Sequence, residues 1–198
     1  NLPEVTWHMK PIIVVALEDE AASVPEAFQI LLTGIGKVNA AMVLTRALAE
    51  AAAPPSFILN IGSCGGHQIA RNTLSWVTEF HQADMDVSPL GFAKGVTPLE
   101  DSIPPVLLPT GTKPQADLAE AACWTQDHFV TNASGAPKLF DMEAYALAKV
   151  AHSFDLPFGA IKYVTDDAGE GAAGDWTANL KDCKASLAAL LDQLAART

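Results

Sequence analysis

Arginine is scarce in this sequence, which contains only Arg46, Arg71 and Arg197. Lysine and arginine together number 12 against 23 aspartate and glutamate residues, and the formal net charge is −11. Proteins that bind nucleic acid usually carry a basic stripe, and anionic membranes repel a surface of this sign. We therefore expect neither nucleic acid nor a membrane as a partner, whereas a neutral or zwitterionic small substrate is compatible with this charge.

Cysteine is also scarce, and long apolar runs are missing. The three cysteines contain no C-x-x-C pair, which indicates reduced thiols in a cytoplasmic protein; they are Cys64, Cys123 and Cys183. The five histidines lack the spacing of a zinc site, and we expect no metal and no organic cofactor. No apolar run approaches the roughly 20 residues of a membrane span, and we expect no signal peptide.

The composition and the hydrophobic pattern predict one α/β domain over residues 1–198. Apolar residues make up 49% and charged residues 18%, which is typical of a globular chain. Short apolar, β-branched runs alternate with alanine-rich helical segments. This alternation predicts a central mixed, mostly parallel twisted sheet that is flanked by helices. We expect residues 1–9 to be a weakly ordered extension of this domain.

The predicted elements leave several polar or glycine-rich segments at strand ends. Strands are expected over 11–17, 28–32, 57–61, 74–80, 106–108, 124–130 and 158–164, and helices over 37–52, 114–122, 142–154 and 176–196. Residues 83–113 are predicted to be largely irregular. Ligands of such folds gather at the carboxyl ends of strands, where the sequence places residues 18–20, 62–66 and 165–167.

Carboxylates occupy three element boundaries that are far apart in the sequence, at Glu20, Glu143 and Asp166. Cleavage of an N-glycosidic bond uses a general acid, a general base and a group that holds the ribose hydroxyls. Carboxylates suit all three roles when their environments separate their pKa values. By spacing alone, residues 18–20 are equally an acidic helix N-terminus and Asp166 a helix cap.

The glycine-rich segment 62–66 also has two interpretations. Its backbone amides and the Ser63 hydroxyl could hold a ligand close to the main chain. Alternatively, it is a loop in which the chain merely makes tight or left-handed turns.

Five short motifs follow one another in a fixed order. They are A-L-E-D-E at 16–20, T-G-I-G-K-V-N-A-A at 33–41, N-I-G-S-C-G-G at 60–66, D-M-E-A at 141–144 and T-D at 165–166. Together they resemble the purine nucleoside phosphorylase superfamily, and most closely its methylthioadenosine/S-adenosylhomocysteine nucleosidases. The resemblance implies a homodimeric enzyme that hydrolyses a purine nucleoside to adenine and a ribosyl product without a cofactor.

The resemblance also implies roles for individual residues. Glu20 positions the attacking water, Asp166 protonates or hydrogen-bonds the purine N7, and Glu143 holds the ribose hydroxyls. Met142 packs on the sugar, while Phe129 and Val130 stack on the base and offer it backbone hydrogen bonds. The remaining implied pocket residues are Leu17, Ile35, Ser63, Cys64, Gly65 and Thr165, with Lys162 nearby in a less defined role.

The segment 84–92 resembles a part of the family that lies near the dimer interface. Leu90 and Phe92 would then form an apolar wall against the 5′ substituent of a neighbour's substrate, or they are ordinary interface or core residues. The connection after Glu20 is shorter than in typical relatives, and Tyr145 replaces a small residue. These departures leave the substrate open among methylthioadenosine, S-adenosylhomocysteine, a futalosine-type nucleoside and other purine nucleosides.

Phosphorolysis is the alternative reaction. A phosphate nucleophile needs cationic or amide donors, and arginine is favoured for its bidentate fork. The hexameric phosphorylases of the superfamily have an arginine where Asn60 stands, and the anionic Glu20 would repel phosphate. The sequence therefore favours hydrolysis. A catalytically silent nucleoside-binding protein is a further candidate, against which the three carboxylates argue.

Overall fold

The computed structural model describes residues 11–110 and 113–196, and the predicted extension over residues 1–9 lies outside them. The strands are β1 Ile12–Val15, β2 Gln29–Leu32, β3 Ile58–His67, β4 Leu74–Gln82, β5 Val106–Leu107, β6 Ala119–Thr125, β7 Lys138–Asp141 and β8 Phe158–Asp166. The helices are α1 Glu18–Ala21, α2 Lys37–Glu50, α3 Ala144–Ser153 and α4 Ala172–Ala195, with a 3₁₀ turn at Ser88–Leu90.

The strands form one mixed sheet, which confirms the predicted fold class. β1 runs parallel to β2 and β3, β3 is parallel to β8, and β6 is parallel to β4 and β7. The antiparallel pairs are β3 with β7, β4 with β5 and β4 with β8. Because β8 pairs with both β3 and β4, it closes a ring of strands in the order β3-β7-β6-β4-β8.

Helices cover the sheet on two sides. Leu44 of α2 and Leu147 of α3 belong to one core cluster, whereas Leu187 and Leu191 of α4 belong to a second. Every residue of β8 is buried, as expected for a strand covered on both faces. Within the described residues, none of the helices has the length and apolar character needed to cross a bilayer.

Three predictions about local structure are wrong. The strand predicted over 124–130 lies at Ala119–Thr125 instead, and residues 126–130 are outside any strand. The segment 62–66 is no loop, because β3 continues through it and its glycines pair with β7 and β8. The helix predicted over 114–122 is absent, and β6 occupies Ala119–Thr125. In β6 the buried residues Ala121, Cys123 and Thr125 alternate with more exposed ones, so the two-residue period of a strand prevailed over the helix preference of alanine. The sequence prediction also missed β7.

Candidate active site

A cavity of about 390 Å³ lies where β1, β3 and β8 end. These three strands run parallel, and therefore the residues that follow or terminate them meet at one edge of the sheet. The loop after β6 and the N-terminal ends of α3 and α4 complete the walls. Glu20, Glu143 and Asp166 all line this cavity, so the three acids that are distant in sequence are adjacent in the fold.

Glu20 lies in the four-residue helix α1, directly after β1. Its Oε2 accepts hydrogen bonds from the backbone amides of Ala16 at 3.2 Å and Leu17 at 3.1 Å. Its Oε1 accepts from the Ser63 amide at 2.9 Å and the Ser63 hydroxyl at 3.2 Å. The acidic helix N-terminus is therefore real, but Glu20 is only 2% exposed, while its neighbours Glu18 and Asp19 face solvent.

Asp166 is the last residue of β8 and is 1% exposed. Its Oδ2 accepts from the Thr165 hydroxyl at 2.9 Å, and its Oδ1 accepts from the Ala168 amide at 2.9 Å. Burial raises the pKa of Asp166 despite these donors. The alternative that Asp166 caps a helix is wrong, because α4 begins later and Gly171 is its N-cap residue.

Two glycines of β3 make room for these carboxylates. A Cβ on Gly62 would lie 2.9 Å from Glu20 Oε1, and a Cβ on Gly65 would lie 2.9 Å from Asp166 Oδ1. Contacts this short would force the carboxylates away from their hydrogen-bond donors. The glycine-rich sequence is thus explained by close side-chain approach and not by a turn.

Glu143 precedes α3 and accepts a hydrogen bond from the Gly36 amide at 2.9 Å. Burial, with repulsion from the nearby Asp141 carboxylate, raises the pKa of Glu143 to about 7. The side chain therefore changes charge near neutral pH, as titratable groups at functional sites often do.

A buried ion pair lies beneath Glu143. The Lys162 ammonium is 2.8 Å from Asp141 Oδ2, and both side chains are almost completely buried. Burial alone would lower the pKa of Lys162, but the carboxylates of Asp141 and Glu143 outweigh it and hold the pKa above its ordinary value. Asp141 also accepts from the Thr125 hydroxyl at 2.6 Å and the Ala144 amide at 2.8 Å, so two further donors hold the carboxylate of the pair in place.

The loop after β6 is held against α2. The Asp127 carboxylate accepts from the Lys37 amide at 2.8 Å, and its own amide donates to Asp84 at 3.0 Å. The Lys37 ammonium contacts both Asp84 and Asp127. These contacts fix the start of the segment that carries Phe129 and Val130.

Most of the predicted site residues line the cavity: Leu17, Glu20, Ile35, Ser63, Cys64, Gly65, Phe129, Val130, Met142, Glu143 and Asp166. Thr165 lies behind Asp166 and donates to it instead of lining the cavity. Leu90 and Phe92 are also outside this chain's cavity, and Leu90 is 73% exposed. Their predicted role concerns a neighbour's site and stays a prediction.

The sequence prediction missed several lining residues, chiefly Asn60, His128, Phe140, Asp141, Trp176 and Thr177. Asp141 directly precedes the predicted site residues Met142 and Glu143, and this neighbouring position could have indicated that it also belongs to the site. The sequence predicted that Trp176 begins a helix, whereas α4 begins at Ala172. Nothing in the sequence therefore indicated that the Trp176 side chain reaches the cavity. Within the described residues, no group of three or more histidine, cysteine, aspartate or glutamate side chains could hold a metal ion.

Comparisons with known proteins agree with this architecture. The model of the phosphorylase superfamily matches residues 28–135 and 125–197. A methylthioadenosine/S-adenosylhomocysteine nucleosidase of Anoxybacillus flavithermus is 32% identical over 160 residues, which are 71% of this chain and 68% of that protein. A nucleosidase of the same name from Bacillus cereus is 30% identical over 163 residues, covering 71% of this chain and 68% of the relative.

Solved structures show the same fold. The corresponding nucleosidase of Neisseria meningitidis, in complex with methylthio-immucillin-A, has a TM-score of 0.79 and 24% identity, covering 94% of this chain and 98% of that one. The futalosine hydrolase of Helicobacter pylori has a TM-score of 0.80 and 18% identity, covering 96% and 98%. The resemblance seen in the sequence motifs is therefore confirmed, and the chain belongs to the phosphorylase superfamily.

Proposed function

We propose that this protein hydrolyses the N-glycosidic bond of a purine nucleoside of the methylthioadenosine/S-adenosylhomocysteine type, releasing adenine and the ribosyl product. The observation that carries the proposal is the convergence of three buried carboxylates, Glu20, Glu143 and Asp166, on one cavity. The relatives at 30% and 32% identity, which are nucleosidases of this name, support the same substrate class.

The three carboxylates lie in different environments, and each therefore has a different role in the proposed reaction. Burial raises the pKa of Asp166 and so favours its protonated form, which donates its proton to purine N7 while the electron pair of the breaking bond moves onto the base. Glu143 holds the ribose hydroxyls as positive charge develops on the sugar. Glu20 orients a water molecule and takes up its proton as the water oxygen bonds to the anomeric carbon.

The charge of the cavity favours water over phosphate as the nucleophile. Among the described residues that line it, Lys162 is the only lysine or arginine, and its ammonium is already paired with Asp141. Asn60 lies where the hexameric phosphorylases have an arginine, and its buried side-chain oxygen has no donor among residues 11–110 and 113–196. A phosphate dianion would meet carboxylates and an acceptor oxygen instead of cationic donors.

A nucleoside panel tests this proposal. Methylthioadenosine, S-adenosylhomocysteine, futalosine, adenosine and inosine are each incubated with the protein, with and without phosphate, and free base is measured by chromatography. Release of adenine without phosphate is expected, with the Asp166→Asn variant as the inactive control. Strict dependence on phosphate would reassign the reaction to phosphorolysis, and preferential cleavage of futalosine would change the substrate.

The pH dependence of the reaction is expected to report Glu143. Only the ionised carboxylate can accept from two ribose hydroxyls, and the Glu143 pKa is about 7. We therefore expect kcat/KM to fall as the pH decreases below about 7, where Glu143 becomes protonated. In Glu143→Gln this limb disappears and activity is low throughout. Glu100→Gln, which removes a carboxylate outside the cavity, should keep the wild-type profile.

We further propose that the protein is a homodimer that uses the outer face of α2. Val38 is 74% exposed and Met42 is 50% exposed, one helical turn apart. A second cavity of about 470 Å³, lined in part by Val38, Ala41 and Tyr145, opens between α2 and α3. Lys37 ties α2 to the start of the segment that carries Leu90, so a partner that covers α2 is expected to meet Leu90 as well.

A charge on α2 should therefore dissociate the dimer. Val38→Glu places a carboxylate in an apolar interface and is expected to shift the sedimentation coefficient from dimer to monomer at micromolar concentration. Ala189→Glu, on an exposed position of α4 in the opposite layer, is the matched control and should sediment as the wild type. A wild-type protein that sediments as a monomer would contradict the proposal.

The state of the cysteines supports a cytoplasmic location for this activity. All three are free and buried, at Cys64, Cys123 and Cys183. Burial raises the pKa of each thiol, so each stays protonated and unreactive. A fold without disulfides is typical of a reducing compartment.

A further inference from the structure

Trp176 connects α4 to the residue that contacts Glu20. Its side chain lines the cavity, and its indole Nε1–H donates a hydrogen bond to the Ser63 hydroxyl oxygen at 3.1 Å. The same hydroxyl is 3.2 Å from Glu20 Oε1. Three residues from α4, β3 and α1 therefore form one chain of hydrogen bonds that ends on a proposed catalytic carboxylate.

The chemistry of the donors fixes the direction of this chain. An indole N–H can only donate, so the Ser63 oxygen must accept from Trp176. The single hydroxyl hydrogen of Ser63 then remains for Glu20, whose ionised carboxylate can only accept. The other protein donors to Glu20 in the described structure are backbone amides, which cannot rotate. The Ser63 hydroxyl is thus the one donor to Glu20 whose direction depends on a further side chain.

The indole itself is held by its neighbours on α4. Asp175 forms an ion pair with Arg71 at 2.6 Å, and the Asn179 amide donates to the Thr165 carbonyl at 2.7 Å. These contacts flank Trp176 on both sides in the sequence. They tie the first turns of α4 to the segment after β3 and to the end of β8, which limits how far the indole can move.

We propose that Trp176 is a positioning residue, which directs the Ser63 hydroxyl towards Glu20 and so fixes the carboxylate that orients the attacking water. The role rests on the proposed hydrolysis. It predicts that the indole N–H contributes to turnover more than to substrate affinity, because the Ser63 hydroxyl that accepts from it donates in turn to the carboxylate of Glu20, the proposed general base. The aromatic ring, in contrast, contributes the cavity wall.

Trp176→Phe separates the two contributions, because it keeps an aromatic wall and removes the N–H. We expect kcat to fall about 3- to 10-fold, which corresponds to one net hydrogen bond, with KM changed less than twofold. Ser63→Ala should lower kcat similarly, and adding Trp176→Phe to it should have no further effect, because the two residues act in series. Trp124→Phe, on an indole stacked against His81 outside the cavity, is the control and should leave kcat unchanged.

A role in packing alone gives a different result. If Trp176 only packs against the cavity, Trp176→Phe would raise KM. The losses of activity caused by Trp176→Phe and by Ser63→Ala would then multiply in the double variant. Either outcome, or a Trp176→Phe variant with wild-type kcat, overturns the proposal.

A second measurement does not depend on turnover. In the spectrum of the ¹⁵N-labelled protein, the indole signal of Trp176 is assigned by its loss in Trp176→Phe. It should shift in Ser63→Ala while the signals of Trp76 and Trp124 stay in place. An unshifted signal contradicts the inference even if the protein hydrolyses nucleosides. A shifted signal in a protein that cleaves no nucleoside would contradict the proposed function instead.

Discussion

Replacing Glu20 with glutamine is expected to lower kcat/KM for the hydrolysed nucleoside by about 10²–10⁴-fold, the range that general acid–base catalysis contributes. A carboxamide cannot accept the proton that the attacking water loses in the proposed reaction. It also has only one acceptor oxygen, whereas the Glu20 carboxylate accepts donors on both oxygens, from Leu17 and from Ser63. Steady-state release of free base, measured by chromatography, gives the size of the loss.

Glu18→Gln is the matched control for this experiment. Glu18 lies in the same short helix α1 but faces solvent, so the substitution changes the net charge equally without touching the cavity. We expect wild-type kinetics for Glu18→Gln. If Glu20→Gln retained activity within threefold of the wild type, water activation would have to be assigned to another group.

Replacing Lys162 with methionine should cause a large loss of stability. The substitution removes the charged partner of the buried Asp141 carboxylate, and an uncompensated charge of this kind costs about 3–5 kcal/mol. Equilibrium unfolding in urea measures this loss, provided that the m-value stays constant. Tightly bound nucleosides or inhibitors must be left out, because they would stabilise the folded state.

Two further variants isolate the effect of the buried charge. Lys184→Met removes a partly exposed ammonium that pairs with Asp19, and such surface pairs contribute about 0–1 kcal/mol. Adding Asp141→Asn to Lys162→Met should restore part of the stability, because the amide carries no charge and its oxygen still accepts from Thr125 or Ala144. Equal losses in Lys162→Met and Lys184→Met would show that the buried pair has no special importance.

The strands that carry the site could be predicted because their sequences have a pattern that sterics and burial impose. The apolar run of β8 and the charged residues after β1 marked two strand ends, and the parallel arrangement brought them to one edge. The helix prediction for 114–122 failed because alanine favours helices locally, whereas the neighbouring strands β4 and β7 recruit Ala119–Thr125 by pairing on both sides. Local preference cannot anticipate a partner that is distant in sequence.

The acids of the site were predictable from ordered motifs, but their supporting contacts were not. Nothing in the spacing of Asp141 and Lys162 indicates that they form a buried pair, because the pairing depends on how β7 and β8 are placed in three dimensions. The same holds for Trp176 and Ser63, which are 113 positions apart. The glycines of β3 show a different limit of sequence-based prediction. A glycine can be required either for a turn or because another side chain packs closely against the backbone, and the sequence does not distinguish the two.

The lining of the cavity extends from Ala16 near β1 to Thr177 in α4. During translation, therefore, the nascent polypeptide holds no complete pocket until α4 has left the ribosome and docked. Proteolytic cleavage in the segment between β4 and β6 would likewise leave two fragments that each carry only part of the proposed catalytic groups. Activity then requires reassociation of the fragments, so it can serve as a sensitive reporter of complementation between them.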